Sequence, residues 1–138
     1  MMGGVERDKK FVSKILDQLR GERKIYAVDD KWGSPTYTLD FSKLILSLMR
    51  TPYYGTYHAA CKGKCTRYDV AKEILKISKR PDIELVRVNS DFFRNEYPAA
   101  RPTSEMLRNY KLELRGMNSM PDWRDALHRY LRRWFAER

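Results

Sequence analysis

The residues best suited to chemistry fall in one short run, Val28-Asp29-Asp30-Lys31-Trp32-Gly33-Ser34-Pro35-Thr36. Two carboxylates end an apolar stretch, and a turn of small residues follows. Gly33, Ser34, Pro35 and Thr36 are small enough to let backbone approach a ligand, and Trp32 offers a ring to stack on a base or sugar. Far downstream, Arg101-Pro102 sets a guanidinium beside a proline-fixed backbone. Such a guanidinium grips a phosphate bidentately and loses little entropy in doing so. Lys10 and Phe11 open a predicted helix, whose unpaired backbone N–H groups favour anions. Each also has a structural reading. The turn can simply join a strand to a helix, Arg101 can sit in a surface ion pair, Phe11 can belong to the core, and Trp32 can fill a domain seam.

Cys61 and Cys65 are the two cysteines, with His58 close by. Zinc accepts Cys and His ligands at such spacings. The one remaining histidine, His128, falls on a distant predicted helix, so two reduced thiols flanking a Lys-Gly-Lys turn are expected. Two cysteines do not make a disulfide framework either.

These residues need elements to hold them. Lys9 to Arg20 repeats apolar residues at helical spacing (Phe11, Val12, Ile15, Leu16, Leu19), with Gly21 as a stop. Lys24 to Asp29 reads as a strand buried on both faces. Thr38 is the expected N-cap of a second helix with the stripe Phe41, Leu44, Ile45, Leu48 and Met49, ended by Thr51-Pro52. Gly55 to Ala60 reads as a short strand. Thr66 with Asp69 forms a capping-box pair for a third helix that buries Val70, Ala71, Ile74 and Ile77. Ile83 to Val88 reads as a strand, Ser90 to Tyr97 as a helical turn, and Ser104 to Tyr110 as a small helix. Ser119-Met120-Pro121 resembles a helix start, and Trp123, Ala126, Leu127, Tyr130, Leu131 and Trp134 share one face of the last helix. Helices alternate with short strands, the mark of an α/β chain.

At 138 residues, 42% apolar and 33% charged, the chain suits one globular domain with a real core. No window reaches the ~20 apolar residues of a membrane span. The charged start is unlike a signal peptide, so a cytoplasmic home and no membrane partner are expected. The net charge of +10 is uneven: residues 62–80 carry seven cations and two anions, and residues 123–138 carry five and two. Solvated helix faces account for this, or attraction of an anionic partner.

Taken in order, Lys10-Phe11-Val12, the Val28 to Thr36 run, Gly55-Thr56-Tyr57-His58, Thr66-Arg67-Tyr68 and Ala99-Ala100-Arg101-Pro102 with Ser104 and Leu107 resemble the C-terminal part of dTDP-4-dehydrorhamnose reductases. These are extended short-chain dehydrogenases. The resemblance spans about residues 1–131. It departs from the family at Lys10, where Asn is common, and at Met1-Met2, where an aromatic residue is common. It implies an α/β fold, the C-terminal half of such a dehydrogenase, with helices and short, mostly parallel strands and without the N-terminal Rossmann sheet. Residues 1–138 are then one substrate-binding domain, and residues 1–38 include the last helix and strand that normally join that sheet. The implied ligand is a dTDP-sugar nucleotide, contacted by Lys10, Phe11, Trp32, Gly33, Ser34, Pro35, Thr36, Arg101 and Pro102. The implied parent uses NADPH to reduce dTDP-4-dehydro-L-rhamnose. This chain holds no G-x-G-x-x-G and would neither bind NADPH nor turn over alone. Magnesium is left open, with no ligand cluster to name.

The expected partners are the N-terminal half or a second copy, docking through an apolar face of the first helix and strand. Tyr68 and Lys72 have the Tyr-x3-Lys spacing of a dehydrogenase's catalytic pair. They open a capped surface helix after the Gly-Ser-Pro-Thr turn, whereas the catalytic pair belongs well before it, so an ordinary amphipathic helix is expected. Two other functions share these features: a non-catalytic relative such as a methionine adenosyltransferase regulatory subunit, and a basic nucleic-acid-binding module. Interleaved acids and the lack of any nucleic-acid motif argue against the second.

Overall fold

The computed structural model describes residues 1–4 and 10–137. Lys9, where the first predicted helix begins, lies outside the described residues. The chain divides into two compact units. One is formed by Met1–Asp8, Ser34–Gly63 and Met106–Arg138, the other by Lys9–Gly33 and Lys64–Glu105.

The second unit holds helix α1 (Phe11–Gln18), strands β1 (Lys24–Val28), β2 (Trp32–Gly33) and β3 (Cys65–Thr66), helix α3 (Arg67–Ile77), strand β4 (Glu84–Val88) and a 3-10 turn at Ser90–Phe93. Val12, Ile15, Leu16 and Leu19 are buried along one side of α1, which packs on α3. The apolar face expected to lie open on the first helix is therefore covered. The helix ends at Gln18 with Leu19 as its cap, so Gly21 lies beyond the stop it was expected to provide. β1 and β4 pair in parallel from Lys24↔Glu84 to Val28↔Val88, with a crossover that includes α3. Ile25 and Ala27 are buried on one face of β1 and Val28 on the other, while Tyr26 is exposed and stacks on Phe92 at 5.0 Å. Burial on both faces, expected of this strand, holds at Ala27 and Val28, while Tyr26 is the exception.

The β3–α3 junction is fixed by the capping box read from the sequence. Thr66 Oγ1 accepts the Asp69 N–H at 3.2 Å, and Asp69 Oδ2 accepts the Thr66 N–H at 2.9 Å. Two free helical donors are thereby satisfied.

The first unit holds α2 (Thr38–Met49), α4 (Tyr110–Leu114) and α5 (Trp123–Ala136). The predicted face of α5 is its buried face, from Trp123 to Trp134. Its N-cap is Asp122, whose Oδ1 accepts the Arg124 N–H at 2.8 Å. α2 differs from expectation twice. Tyr37, not Thr38, is its cap residue, because the Thr38 N–H is held by the Met2 carbonyl at 2.9 Å. Of the predicted stripe only Leu44 is buried, while Ile45 and Met49 are exposed.

Residues 55–60 form no strand. A side chain takes the place of a neighbouring strand there. Asn109 Oδ1 accepts the Ala60 N–H at 2.9 Å, and Asn109 Nδ2 donates to the Ala60 carbonyl at 2.8 Å. Residues 104–109 are not helical, and α4 starts where the predicted helix was to end. Gly63 adopts φ +82, and a Cβ there would fall 2.8 Å from Asp122 Oδ2 and 2.9 Å from Trp123 Cδ1, so the Lys62-Gly63-Lys64 turn requires glycine.

Candidate functional site

Six of the nine residues expected to touch ligand lie in the second unit. Its two shortest strands position them. β2 pairs antiparallel with β3 through Trp32↔Thr66 and Gly33↔Cys65. On the other edge of Trp32 runs the segment after Arg101. The Trp32 N–H donates to the Thr103 carbonyl at 2.9 Å, and the Glu105 N–H donates to the Trp32 carbonyl at 2.9 Å. Lys31 Nζ reaches the Arg101 carbonyl at 3.0 Å. Residues 101–105 are thus stitched alongside Lys31 and Trp32. Arg101-Pro102 lands beside Trp32-Gly33 although some seventy positions separate them in the chain.

The ring of Trp32 is part-exposed, and the Lys64 ammonium sits 5.1 Å from its centroid. A cation so placed is attracted by the ring's quadrupole. Arg101 is 68% exposed at its side chain and meets Glu105 at 3.5 Å. The surface ion pair considered for Arg101 is therefore present, but in solvent such a pair is worth little and yields readily to a phosphate. Lys64 lies over the ring, and Lys31 and Arg101 belong to the two segments hydrogen-bonded side by side at Trp32, an arrangement that suits a planar ring attached to anionic groups.

Lys10 and Phe11 join this region through the β3–α3 junction. Arg67, the residue after Thr66, places its guanidinium 5.7 Å from the Phe11 ring. Phe11 is half-buried, between the core role and the ligand role considered for it. Lys10 is exposed and extended (φ −91, ψ −177), and its own side chain does not cap α1. Lys64 and Arg67 were not foreseen. Their only signal is their flanking of Cys65-Thr66, and it becomes readable once β2 is known to pair with β3.

The two carboxylates that end β1 work inside the fold. Asp29 Oδ1 accepts from Thr66 Oγ1 at 2.9 Å, and Asp29 Oδ2 meets Arg87 Nη1 at 3.2 Å. Asp30 Oδ2 accepts from Ser90 Oγ at 2.8 Å. Burial pushes the Asp30 carboxyl up, but the Ser90 backbone and hydroxyl bonds outweigh it and leave the group below the usual aspartate range. Arg87 also lies over the Tyr68 ring at 4.4 Å, so Tyr68 is engaged by Arg87, while Lys72 is exposed.

Ser34, Pro35 and Thr36 belong to the first unit. Ser34 Oγ donates to the Gly63 carbonyl. Thr36 is 6% exposed, and its hydroxyl accepts the Cys61 N–H at 3.2 Å and donates to the Ser34 carbonyl at 3.3 Å. Both hydroxyls are used to hold the turn. The same unit carries an open cavity of about 310 Å³, lined in part by Tyr37, Thr38, Ser42, Tyr130 and Arg133, none of which was expected as a ligand contact. Cys61 and Cys65 are buried and form no disulfide, and burial pushes the Cys61 thiol up. Among the described residues no group of three or more His, Cys, Asp or Glu side chains is placed to hold a metal ion. Among the same residues no helix is long and apolar enough to cross a membrane.

Comparison with known proteins bears on the whole chain. Residues 4–135 match the family described as RmlD substrate binding domain. A spore coat polysaccharide biosynthesis protein of Bacillus subtilis is 31% identical over 121 residues, covering 88% of this chain and 41% of that protein. A dTDP-4-dehydrorhamnose reductase of Mycolicibacterium smegmatis is 34% identical over 119 residues, covering 85% of this chain and 36% of that one. The crystal structure of a dTDP-4-dehydrorhamnose reductase from Bacillus anthracis in complex with NADP superposes with a TM-score of 0.82 at 30% identity, over 91% of this chain and 43% of that one. The chain thus spans about 40% of the length of the relatives it matches, and it corresponds to their C-terminal part. The mixed α/β architecture expected from the sequence is the one these structures share.

Proposed function

This chain belongs to the RmlD substrate binding domain family, and from that premise we propose that residues 1–138 are the sugar-nucleotide-binding part of a dTDP-4-dehydrorhamnose reductase. The observation that carries the proposal is the Trp32 ring with Lys64 over it, in a strand whose neighbouring segment brings Arg101 alongside Lys31. A stacked ring and nearby cations supply the two things a sugar diphosphonucleoside needs: a flat partner, and compensation for its negative charge. Gly33 and Pro102 keep the backbone on either side slim and fixed. Lys10, with Arg67 over Phe11, adds positive charge along the same unit. Ser34, Pro35 and Thr36 shape the turn that leaves the plate.

In the parent reductase NADPH supplies hydride to the 4-keto carbon of dTDP-4-dehydro-L-rhamnose. This chain contributes binding and orientation of the sugar nucleotide and is inactive by itself. The N-terminal half of the parent is its natural partner. A two-stranded parallel sheet is a minimal one, since parallel sheets are normally larger and covered on both faces. Here Tyr26 of β1 and Phe92 of the 3-10 turn stack in an exposed pair, which suits a covering layer.

Calorimetric titration with dTDP-rhamnose, dTDP and NADPH tests the reading. Saturable binding of the first two without NADPH is expected. Arg101→Ala should weaken it by about 10- to 100-fold, the loss of one charged hydrogen-bonded contact. It should leave folding stability within about 1 kcal/mol, because the Glu105 pair it breaks is a surface pair. Binding of dTDP-rhamnose that is indifferent to Arg101→Ala removes that residue from the site, and NADPH binding overturns the division of labour.

A further inference from the structure

The ring on which a base would stack already has an occupant. Lys64 Nζ lies 5.1 Å from the Trp32 ring centroid. The strand register puts it there. Trp32 pairs with Thr66 and Gly33 with Cys65, so Lys64 stands two residues before the direct partner of Trp32. In an antiparallel pair such a diagonal neighbour shares the same face and is within reach of a long side chain. Lys31 and Arg101 are employed differently. Lys31 Nζ holds the Arg101 carbonyl at 3.0 Å, and Arg101 Nη1 meets Glu105 at 3.5 Å. Among the described residues no carboxylate meets the Lys64 ammonium, and the indole is the partner it has.

We propose that Lys64 is a specificity-determining residue, an inference that rests on the reading of this unit as a sugar-nucleotide site. Its ammonium covers the Trp32 ring until a base takes its place, and it then passes to the diphosphate of the same ligand. An exposed cation–π contact is weak, so displacing it lowers a ligand's affinity by only about two- to fivefold. A neutral nucleoside meets that loss with nothing to offset it. A nucleoside diphosphate offsets it, because a charged hydrogen bond to phosphate outweighs a contact with a ring in water. Lysine suits the exchange. Its ammonium is a compact charge on a flexible four-carbon stem and can trade one partner for another, whereas the planar guanidinium of arginine stacks on a ring more firmly. The ring thus accepts a base that brings phosphate with it and discriminates against the same base without one.

Titrations with thymidine and with dTDP, followed by NMR at the Trp32 indole N–H, decide the matter. Trp32 is 38% exposed, whereas Trp123 and Trp134 are 1% and 3% exposed and serve as unmoved references. Lys64→Ala should tighten thymidine binding about two- to fivefold, since the cover is gone. It should weaken dTDP binding about fivefold, since the lost charged contact exceeds the gain from uncovering the ring. The preference for dTDP over thymidine then falls about tenfold or more. Lys64→Arg keeps a cation over the ring and should retain most of that preference. Lys72→Met, exposed on α3 in the same compact unit, removes the same charge and should change neither affinity. Circular dichroism verifies that these exposed substitutions leave the fold intact. Three results overturn the inference while sugar-nucleotide binding stands: Lys64→Ala weakens both ligands alike; it leaves dTDP affinity unchanged; or dTDP binds both proteins and thymidine neither, which would deny the ring a stacking role. If dTDP binds neither protein, the sugar-nucleotide reading itself is overturned, and the role of Lys64 with it.

Discussion

Replacing Asn109 with alanine tests the reasoning about the first unit most sharply. Asn109 is 4% exposed, and its amide makes three hydrogen bonds: the Ala60 N–H at 2.9 Å, the Ala60 carbonyl at 2.8 Å and Asn118 Oδ1 at 3.0 Å. A side chain here does the work of a paired strand, returning both backbone groups of one buried residue. Alanine removes all three bonds and strands the N–H and C=O of Ala60, which is 9% exposed. Each net bond is worth about 1 kcal/mol, and an unsatisfied buried group adds about 1–3 kcal/mol. The expected cost is about 3–5 kcal/mol, at the lower end if water enters the vacated space. At the usual entropy of unfolding per residue, that lowers Tm by about 10–17 °C. Scanning calorimetry and urea titration of the two proteins measure it. Asn109→Asp separates the contributions. It keeps the acceptor for the Ala60 N–H but sets a carboxylate against the Ala60 carbonyl and Asn118 Oδ1, so it should rescue little. A loss under about 1 kcal/mol for Asn109→Ala would refute the reasoning, because burial and geometry leave no route to so small a value if these bonds form.

Two helix ends with the same hydrogen-bond pattern but different residues give a paired prediction. Arg80 N–H bonds to Leu75 O and Lys79 N–H to Lys76 O after α3, and Met117 N–H bonds to Leu112 O and Gly116 N–H to Glu113 O after α4. The left-handed position is Lys79 (φ +52) in the first and Gly116 (φ +65) in the second. Lys79→Gly should stabilise and Gly116→Ala should destabilise, each by about 1 kcal/mol in urea titrations, and equal signs would contradict the backbone argument. Both cysteines are buried, and the Cys61 thiol is pushed up by burial, so a thiol reagent at mildly alkaline pH should titrate no fast-reacting thiol until denaturant is added. Asp30 lies below the usual aspartate range when folded. Its contribution to stability is therefore present above the unfolded pKa and is lost as pH falls through the folded one. Asp30→Asn should lower the urea midpoint near neutrality and flatten its decline in acid, and an unchanged acid slope would remove Asp30 from that decline.

What the sequence revealed follows from where the deciding forces were local. The α5 face and the Thr66–Asp69 capping box depend on residues three or four apart, and both stand as expected. The α2 stripe failed for the opposite reason. Its apolar period is real, but burial depends on what lies against it, and only Leu44 finds cover. The expected strand at Gly55 to Ala60 has its partner bonds supplied by an asparagine 49 positions away, which no local pattern announces. β2 and β3 are two residues each, too short for period-2 alternation to register.

The same distinction governs the candidate site. Trp32 and Arg101 could be picked out as chemical types, but their proximity depends on the backbone bonds from Trp32 to Thr103 and Glu105. Lys64 and Arg67 owe their place to the pairing of Thr66 with Trp32. The carboxylates beside that tryptophan were the most conspicuous feature of the run, and they prove to be its anchors. Asp29 ties the end of β1 to Thr66 at the head of α3, and Arg87 of β4 closes the triangle. Removing either acid would move the plate rather than discharge it. Asp29→Asn, which keeps an acceptor for Thr66 and loses the charge facing Arg87, should therefore disturb sugar-nucleotide affinity less than Asp29→Ala, although both delete the same negative charge. A ligand contact made by the Asp29 carboxylate itself would instead make the two substitutions equally damaging.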